Sequence, residues 1–238
     1  MSGHANLGEL SAVRRALMAD EARQQALPLL RLDPIAIVGM ACRTPGDVSD
    51  PASLWKLLTE GRTTARNVPA DRFDAAAWFD ADPSAPGKSA SVRGSFLDQI
   101  DQFDPEYFGI PPREVEQMDP QQRLALEVAI EALDDAGIRH ADLRGSRSGV
   151  FMACYHDDYA RLVYDNVDGL DTRTLTGTLH AVTANRISHF LDLRGPSLAL
   201  DTACSSSLVA IHLACQSLRM GEIDLALAGG VSVMITPE

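Results

Sequence analysis

The residue best suited to covalent chemistry is Cys204, which lies between a short apolar run at 198–200 and three consecutive serines at 205–207. Serine favours helix caps and first turns, so this spacing predicts that Cys204 lies at or just before a helix N-terminus. Unpaired backbone N–H groups and the positive end of the helix dipole stabilise a thiolate there. The same N–H groups can receive the oxyanion that forms when the sulfur attacks a thioester carbonyl. The segment therefore predicts a nucleophile for acyl transfer.

A purely structural role for Cys204 is the alternative, because a free cysteine is most often a small buried apolar side chain. The other three cysteines fit that role better. Cys42 follows a predicted strand with no helix start after it, Cys154 lies inside a predicted strand, and Cys215 lies in mid-helix. No two cysteines have the close spacing of a zinc or redox site, so we expect neither a metal site nor a disulfide framework.

A thiolate nucleophile commonly works with a base, which makes the six histidines the next residues to consider. His212 lies on the same predicted helix as Cys204, roughly 12 Å further along its axis, and is too far away to act on the thiol. The other five lie in the N-terminal lead-in, in a polar loop or in segments that only tertiary folding could bring close: His4, His140, His156, His180 and His189. The sequence thus predicts a nucleophile without an evident partner.

Helix and strand signals alternate from residue 35 onward. The Asp-Pro pairs at 50–51 and 119–120 each combine an N-cap residue with a proline in the first turn, and glycines at 61 and 137 mark helix ends. Short apolar runs predict buried strands, and the alternation predicts an α/β fold with a mostly parallel sheet covered on both faces. The predicted strands are 35–39, 149–155, 198–200 and 225–235, the last as one or two strands, and the predicted helices are 51–60, 121–136 and 208–218.

The domain itself is predicted to run from residue 33 to residue 238. Residues 1–32 carry an apolar stripe on one helical face, which predicts either a linker or a helix that docks on another polypeptide. Residues 62–117 hold many of the prolines and several scattered aromatic residues, so we expect a long, irregular, partly packed excursion there.

The charge balance excludes some classes of protein. The 238 residues include 33 acidic and 21 basic side chains, giving a formal net charge of −12, whereas nucleic-acid binders need clustered lysine and arginine. The longest apolar stretch is far shorter than the roughly 20 residues that span a bilayer, and charged residues near the N-terminus argue against a signal peptide. These features predict a cytoplasmic protein that binds neither nucleic acid nor membranes.

Several motifs together resemble the β-ketoacyl synthase domain of modular polyketide synthases, within the thiolase-like condensing enzymes. The resemblance covers about residues 33–238. It is carried by DPIAIVGMACR at 33–43, MDPQQRL at 118–124, ANRIS at 184–188, DLRGPS at 192–197 and the active-site signature DTACSSS at 201–207. Thr44 and Ile130 depart from residues common in the family, and neither touches the nucleophile.

The resemblance implies a fold and a mechanism. The fold would be the N-terminal α/β half of a layered α-β-α-β-α condensing enzyme, dimerising through the strand before Cys204. Cys204 would accept an acyl group from the phosphopantetheine arm of an acyl carrier protein, with no cofactor bound directly by the chain. A malonyl-type extender would then be decarboxylated, and its enolate would attack the Cys204 thioester in a Claisen condensation. The backbone N–H of Cys204 would form part of the oxyanion hole.

The resemblance also places the two catalytic histidines and the lysine of the family in later motifs, and the sequence stops at Pro237-Glu238 before either motif. We therefore expect the 238-residue chain to be part of a longer synthase with further modules. On its own, the chain would be incomplete for condensation. The remaining half of the synthase domain would cover an apolar face that is otherwise exposed.

Two other functions are open at this point. A cysteine hydrolase would also place its nucleophile on a strand-to-helix turn, but its elbow needs glycine two positions either side, where this chain has Thr202 and Ser206. A non-catalytic half-domain could instead act as a scaffold that binds a carrier protein or a complementary chain. Release of a free acid would indicate the first function, and co-purification of a second polypeptide would indicate the other.

Overall fold

A three-stranded parallel sheet lies at the centre of the chain in this computed structural model, which describes residues 34–237 together with residues 14, 17 and 18. The predicted linker or docking helix at 1–32 otherwise lies outside the described residues. The helices, in chain order, are α1 (Pro51–Thr59), α2 (Ala75–Trp78), α3 (Pro105–Phe108), α4 (Pro112–Val115), α5 (Pro120–Asp135), α6 (Asp158–Tyr164), α7 (Thr172–Thr178), α8 (His180–Phe190) and α9 (Ser206–Arg219). The strands are β1 (Arg66–Asn67), β2 (Arg93–Gly94), β3 (Ser148–Cys154), β4 (Ser197–Leu200) and β5 (Leu225–Val231).

The sheet has the strand order β4-β3-β5, and β3 pairs in parallel with both neighbours. Ala153 of β3 lies opposite Leu200 of β4 and opposite Gly230 of β5, so the three strands end at nearly the same level. Every residue of β3 is buried, as its central position requires. The predicted parallel sheet is confirmed. The 225–235 stretch contains one strand, which continues through the glycine pair and ends at Val231.

Helices cover both faces of this sheet. On one face, Val150 and Met152 of β3 pack in a buried cluster with residues of α5 and α8, including Leu126 and Ile187. Phe151 points to the opposite face, where the buried cluster also contains Ala210 and Ala214 of α9 and Ile223. Alternate residues of one strand therefore serve two cores, which explains why β3 has no polar face.

Helix α5 is bounded by the residues that the sequence predicts. The Asp119 carboxylate accepts a hydrogen bond from the Gln121 N–H at 2.8 Å, and Pro120 occupies the first turn, where its missing N–H costs nothing. At the other end Gly137 has a φ of 68°, which allows the Ile138 N–H to donate to the carbonyl oxygen of Leu133 at 2.9 Å. Ten of its sixteen residues are buried, so it forms a central wall of the core.

Helix α9 contacts the sheet through small residues. Ser206, Ala210, Ala214 and Ser217 are buried, and this spacing places them along one face against β3 and β5. Leu208 lies outside that face and is 72% exposed. Small side chains let the helix approach the strands closely, and within the described part of the chain Leu208 and Ile211 stay exposed on another side of the helix.

The prediction of a buried strand at 35–39 is wrong. This segment has no regular secondary structure, and Ile37 and Val38 are exposed. It lies along α5 instead: Met40 N–H donates to the Asp135 carboxylate at 2.8 Å, and a Cβ on Gly39 would meet the carbonyl oxygen of Ala132 at 2.3 Å. An apolar run becomes a strand only where a neighbouring strand offers hydrogen bonds, and none of the described residues does so here.

The excursion at 62–117 is irregular, as predicted, and contains the short antiparallel pair of β1 and β2 and the single-turn helices α2, α3 and α4. Among the described residues, no helix is long and apolar enough to cross a membrane.

Candidate functional site

The turn between β4 and α9 carries Cys204, whose side chain is exposed to solvent. Just before it, Ala203 has a φ of 54°, a left-handed conformation that residues with a Cβ seldom adopt. The exposure contradicts the alternative in which Cys204 is a buried apolar residue. The prediction that it lies just before a helix is confirmed, because α9 begins two residues later at Ser206.

Polar side chains of the turn hold its backbone in place. The Ser206 hydroxyl accepts the Thr202 N–H at 2.7 Å and donates to the Ala203 carbonyl oxygen at 2.7 Å. Asp201 Oδ1 accepts the Ala203 N–H at 2.9 Å. The Ser205 hydroxyl donates to the Thr202 carbonyl oxygen at 2.8 Å. The turn is therefore fixed by its own short polar residues, which stabilise a backbone shape that alanine alone disfavours.

The N-terminus of α9 gives this turn its electrostatic character. Ser205 occupies the N-cap position, and its side chain makes no capping hydrogen bond to the first turn of the helix. The Ser206 N–H donates to the Ala203 carbonyl oxygen at 3.1 Å, while the positive end of the helix dipole and the other N–H groups of the first turn remain available to a negative group. Cys204 lies two residues before Ser206, the first residue of the helix, a placement that suits acyl transfer to sulfur.

The carboxyl ends of the three parallel strands bring other loops to the same edge as Cys204. His156 lies two residues beyond the end of β3, and the segment 232–236 follows β5. A Cβ on Gly230 of β5 would lie 2.6 Å from Ser207 Oγ, so the first turn of α9 rests directly on this strand. The site is thus assembled from the ends of β3, β4 and β5 and the start of α9.

Two of the other cysteines, Cys42 and Cys154, lie in surroundings that disfavour a thiolate. Cys154 is 2% exposed, and desolvation by burial raises its pKa to about 11. Burial also raises the pKa of Cys42, and the nearby carboxylates of Asp50 and Glu131 add to that effect. The predicted core position is confirmed for Cys154, while Cys42 and Cys215 are half-buried. Cys204 is the exposed one of these four thiols.

The structure separates the histidines into two groups. His156 and His180 lie at the carboxyl edge of the sheet, where His180 Nε2 donates to the His156 carbonyl oxygen at 3.0 Å. His212 is exposed on α9, as far along the helix as the sequence implies. His140 and His189 lie elsewhere, near Phe190, and His4 lies outside the described residues. His156 and His180, whose positions the sequence did not predict, are therefore at the same edge of the sheet as the site.

A buried polar cluster at the start of α5 was missed as a functional feature by sequence reasoning. Gln121 Nε2 donates to the His156 carbonyl oxygen at 2.7 Å, and Gln122 Nε2 donates to the Thr176 carbonyl oxygen at 3.1 Å. Asp119 is 3% exposed, and desolvation raises the pKa of its carboxyl group despite its hydrogen bonds from Gln121. The available signal was three consecutive polar residues, 121–123, in the first turn of a helix that continues with the apolar residues 124–126. This cluster fixes the loop after β3.

Two cavities lie on the outer side of α8, away from the turn. They measure about 370 and 530 Å³ and share Arg144, His189 and Phe190 in their walls. Cys204 lines neither of them. Within the part of the chain that the structure describes, no group of three or more His, Cys, Asp or Glu side chains could hold a metal ion.

Fold and comparisons together define the class: this is an α/β domain of the thiolase-like condensing-enzyme fold. The family model for the N-terminal domain of β-ketoacyl synthase matches residues 32–238. The chain therefore belongs to the β-ketoacyl synthase family, which confirms the resemblance seen in its motifs.

Curated relatives are polyketide synthases. The chain is 48% identical over 229 residues to a phenolphthiocerol/phthiocerol polyketide synthase of Mycobacterium tuberculosis, covering 96% of this chain and 15% of that protein. It is 49% identical over 206 residues to polyketide synthase GfsB of Streptomyces halstedii, covering 86% of this chain and 4% of that protein. The chain thus spans only a small part of the length of these relatives.

Solved structures give the same fold. The oxazolomycin ketosynthase domain OzmH of Streptomyces albus has a TM-score of 0.79 at 42% identity, covering 86% of this chain and 36% of that one. The ketosynthase from module 6 of the bacillaene synthase of Bacillus subtilis 168 has a TM-score of 0.75 at 39% identity, covering 86% of this chain and 33% of that one.

Proposed function

We propose that Cys204 accepts an acyl group from the phosphopantetheine thioester of an acyl carrier protein. The observation that carries the proposal is an exposed cysteine on a fixed strand-to-helix turn at the carboxyl edge of the sheet. The sulfur attacks the thioester carbonyl, and negative charge develops on the oxygen beside the N–H groups of the helix start. The bond from carbonyl carbon to phosphopantetheine sulfur then breaks, and the carrier thiolate takes up the proton that Cys204 lost.

The acylated cysteine is the electrophile of the second step. A malonyl-type extender on a carrier protein loses carbon dioxide, and its enolate carbon attacks the carbonyl of the Cys204 thioester. A carbon–carbon bond forms, the bond to the Cys204 sulfur breaks, and a β-ketothioester two backbone carbons longer leaves on the carrier. The family resemblance assigns decarboxylation to histidines and a lysine that are not among these 238 residues, so we assign condensation to a longer synthase.

We also propose that the functional unit is a homodimer formed through β4. Within the described residues β4 pairs with β3 on one side only, and its Leu198 is 42% exposed. An edge strand with an apolar side chain facing out is a surface that needs a partner. A second copy of the same strand, related by a two-fold axis, would extend the sheet.

The uncovered face of α9 is where we place the remaining half of the synthase domain. Leu208 is 72% exposed and Ile211 47% exposed, and both lie on the side of the helix that faces away from β3. Curated relatives are long polyketide synthases of which this chain matches a small part. Other modules, carrier proteins and acyl and malonyl-type thioesters are therefore its proposed partners, and the cytoplasm is its proposed location.

The experiment that tests this function is acylation of the 238-residue chain by a simple acyl thioester at neutral pH. Intact mass gives the number of acyl groups, and peptide mapping gives their positions, with the other three cysteines as internal references. We expect one acyl group on Cys204 and none on Cys154. A Cys204→Ala variant should remain unacylated, whereas Cys215→Ala, on the same helix, should be acylated like the parent.

The same experiment separates the rival functions. A cysteine hydrolase would turn the thioester over and release free acid without holding the acyl group. A non-catalytic scaffold would leave all four cysteines unlabelled while still binding a carrier protein. Thr202 and Ser206 build this turn through their own hydrogen bonds, in place of the two glycines of a hydrolase elbow, which favours the acyltransferase.

A further inference from the structure

A buried carboxylate, Asp158, fastens two loops to each other near the site. It lies at the start of α6 and is 4% exposed. Its Oδ2 atom accepts the N–H groups of Ile235 at 2.8 Å and of Thr236 at 3.0 Å. A buried carboxylate is stable only when its oxygens are satisfied in this way, so these two bonds fix the position of the segment after β5.

The other oxygen of this carboxylate faces the loop after β3. The Oδ1 atom of Asp158 lies 3.8 Å from His156 Nδ1. The backbone of His156 is itself held, because its carbonyl oxygen accepts from Gln121 Nε2 at 2.7 Å and from His180 Nε2 at 3.0 Å. The loop after β3 is therefore already fixed by Gln121 and His180. Asp158 connects the segment after β5 to that loop.

The segment that Asp158 fixes begins beside the start of α9. Gly230, near the end of β5, contacts Ser207 in the first turn of that helix, and residues 232–236 continue from there. A second anchor acts on the same segment, because Arg72 Nη1 donates to the Met234 carbonyl oxygen at 3.2 Å. The segment is thus held from two sides at the edge of the sheet where Cys204 is exposed.

We propose that Asp158 is a positioning residue that holds residues 232–236 as one wall of the approach to the Cys204 sulfur. The wall limits the bulk of a reagent that reaches the sulfur, and so contributes to the choice of acyl group. This inference rests on the proposed role of Cys204 as the acyl acceptor. It concerns the access of a reagent to the sulfur, whereas the turn 201–206 determines the position of the sulfur.

The test compares alkylation of Cys204 by a small reagent, iodoacetamide, and a bulky one, N-phenylmaleimide, in the 238-residue chain. Asp158→Ala leaves two partly buried N–H groups without this acceptor, so we expect the segment to loosen and the bulky-to-small rate ratio at Cys204 to rise about fivefold. Asp158→Asn keeps one oxygen that can accept both N–H groups and should restore the parent ratio. The matched control is Asp157→Asn, an exposed neighbour that pairs with Arg161.

Two further readouts separate positioning from general damage. The bulky-to-small ratio at Cys215 should stay constant, and amide hydrogen exchange should quicken in residues 232–237 of the alanine variant alone. If Asp158→Ala does not fold, Arg72→Gln releases the Met234 carbonyl oxygen and should move the Cys204 ratio in the same direction. A ratio at Cys204 that is unchanged in every folded variant, or changed equally by the alanine and asparagine variants, overturns the proposal. Failure of the parent chain to be acylated by a thioester would contradict the proposed function and not this one.

Discussion

Gly230 and Ser207 are in direct contact: a methyl group on Gly230 would lie 2.6 Å from Ser207 Oγ and 3.0 Å from Ala153 Cβ. The start of α9 therefore rests on the backbone of β5, at the level where β3 and β4 also end. Ser207 is three residues beyond Cys204, so this contact sets the distance between the sheet and the turn that carries Cys204. A glycine is required here by the close approach of the helix and not by its backbone angles.

Gly230→Ala should displace the start of α9 and disturb the turn. The new methyl group would overlap the Ser207 hydroxyl and press on Ala153, so we expect a loss of about 1–3 kcal/mol in the free energy of unfolding. Acylation of Cys204 should slow about tenfold because the helix start moves away from the sulfur. Urea denaturation and the rate of Cys204 acylation measure the two effects.

Gly229→Ala is the matched control for that variant. A methyl group at this position would meet Met152 Cε and Sδ at 3.5 Å, an ordinary contact with a flexible side chain. The double variant Gly230→Ala with Ser207→Ala removes the clashing oxygen and should recover much of the lost stability. If the two glycine variants behave alike, the contact with Ser207 does not position the helix.

Cys154 should make the stability of the fold fall at alkaline pH. Burial raises its pKa from the ordinary 9.0 to about 11, so the folded state favours the neutral thiol. This stabilisation is fully present below pH 9 and is lost as the pH rises towards 11. At 1.36 kcal/mol per unit of pKa it amounts to roughly 3 kcal/mol. Denaturation of the parent and of Cys154→Ala, measured between pH 8 and 11, should show a shallower slope for the variant.

Native-state alkylation at neutral pH gives a second check, since Cys154 should remain unmodified while Cys204 reacts. Equal slopes for the parent and Cys154→Ala would mean that this thiol does not titrate as its burial requires.

Asp119, a helix cap that is also buried, should make the stability of the fold depend on pH in the acidic range. Desolvation raises the pKa of its carboxyl group above the ordinary 3.8, so its stabilising contribution is full below that value and declines as the pH rises through the raised pKa. Asp119→Asn keeps an oxygen for the Gln121 N–H and carries no charge, so its stability relative to the parent should increase between pH 4 and 7. Asp119→Ala also lacks the charge but removes the cap, so it should be about 1–2 kcal/mol less stable than Asp119→Asn at both ends of this pH range. Thermal unfolding across this range distinguishes the three proteins, and a parent-to-asparagine difference independent of pH would contradict the argument.

Local signals in the sequence predicted the elements that carry the site. The Asp-Pro pairs gave the starts of α1 and α5, and the serines after Cys204 placed that residue just before α9. These predictions succeed because caps and turns depend on a few neighbouring residues. The prediction of a strand at 35–39 was wrong because a strand depends on a partner strand that is distant in sequence, and the local pattern does not reveal that partner.

Long-range contacts explain the rest of what sequence reasoning missed. Gln121 fixes a backbone carbonyl 35 residues away, and Asp158 accepts two N–H groups 77 and 78 residues away. Each side chain is an ordinary polar residue when taken alone, and only the tertiary fold gives it a buried partner. The parallel strands therefore predict that the loops of the candidate site meet at the carboxyl edge of the sheet. They do not predict which side chains hold these loops in place.

Ser206 offers the sharpest test of the turn itself, because one buried hydroxyl satisfies two backbone groups on either side of the left-handed Ala203. Ser206→Ala leaves the Thr202 N–H and the Ala203 carbonyl oxygen without this partner, which should cost about 1–3 kcal/mol of stability. Without the bridge, Ala203 should relax towards a right-handed conformation and turn Cys204 away from the helix start, so acylation should slow more than iodoacetamide alkylation does. Ser206→Thr keeps the hydroxyl and should retain the selectivity, and Ser205→Ala, which removes an exposed hydroxyl, should have a smaller effect. Stability and both Cys204 rates are measured on the same four proteins. If the alanine variant at 206 loses stability but keeps the parent ratio of the two rates, the hydroxyl supports the fold without affecting the reactivity of Cys204.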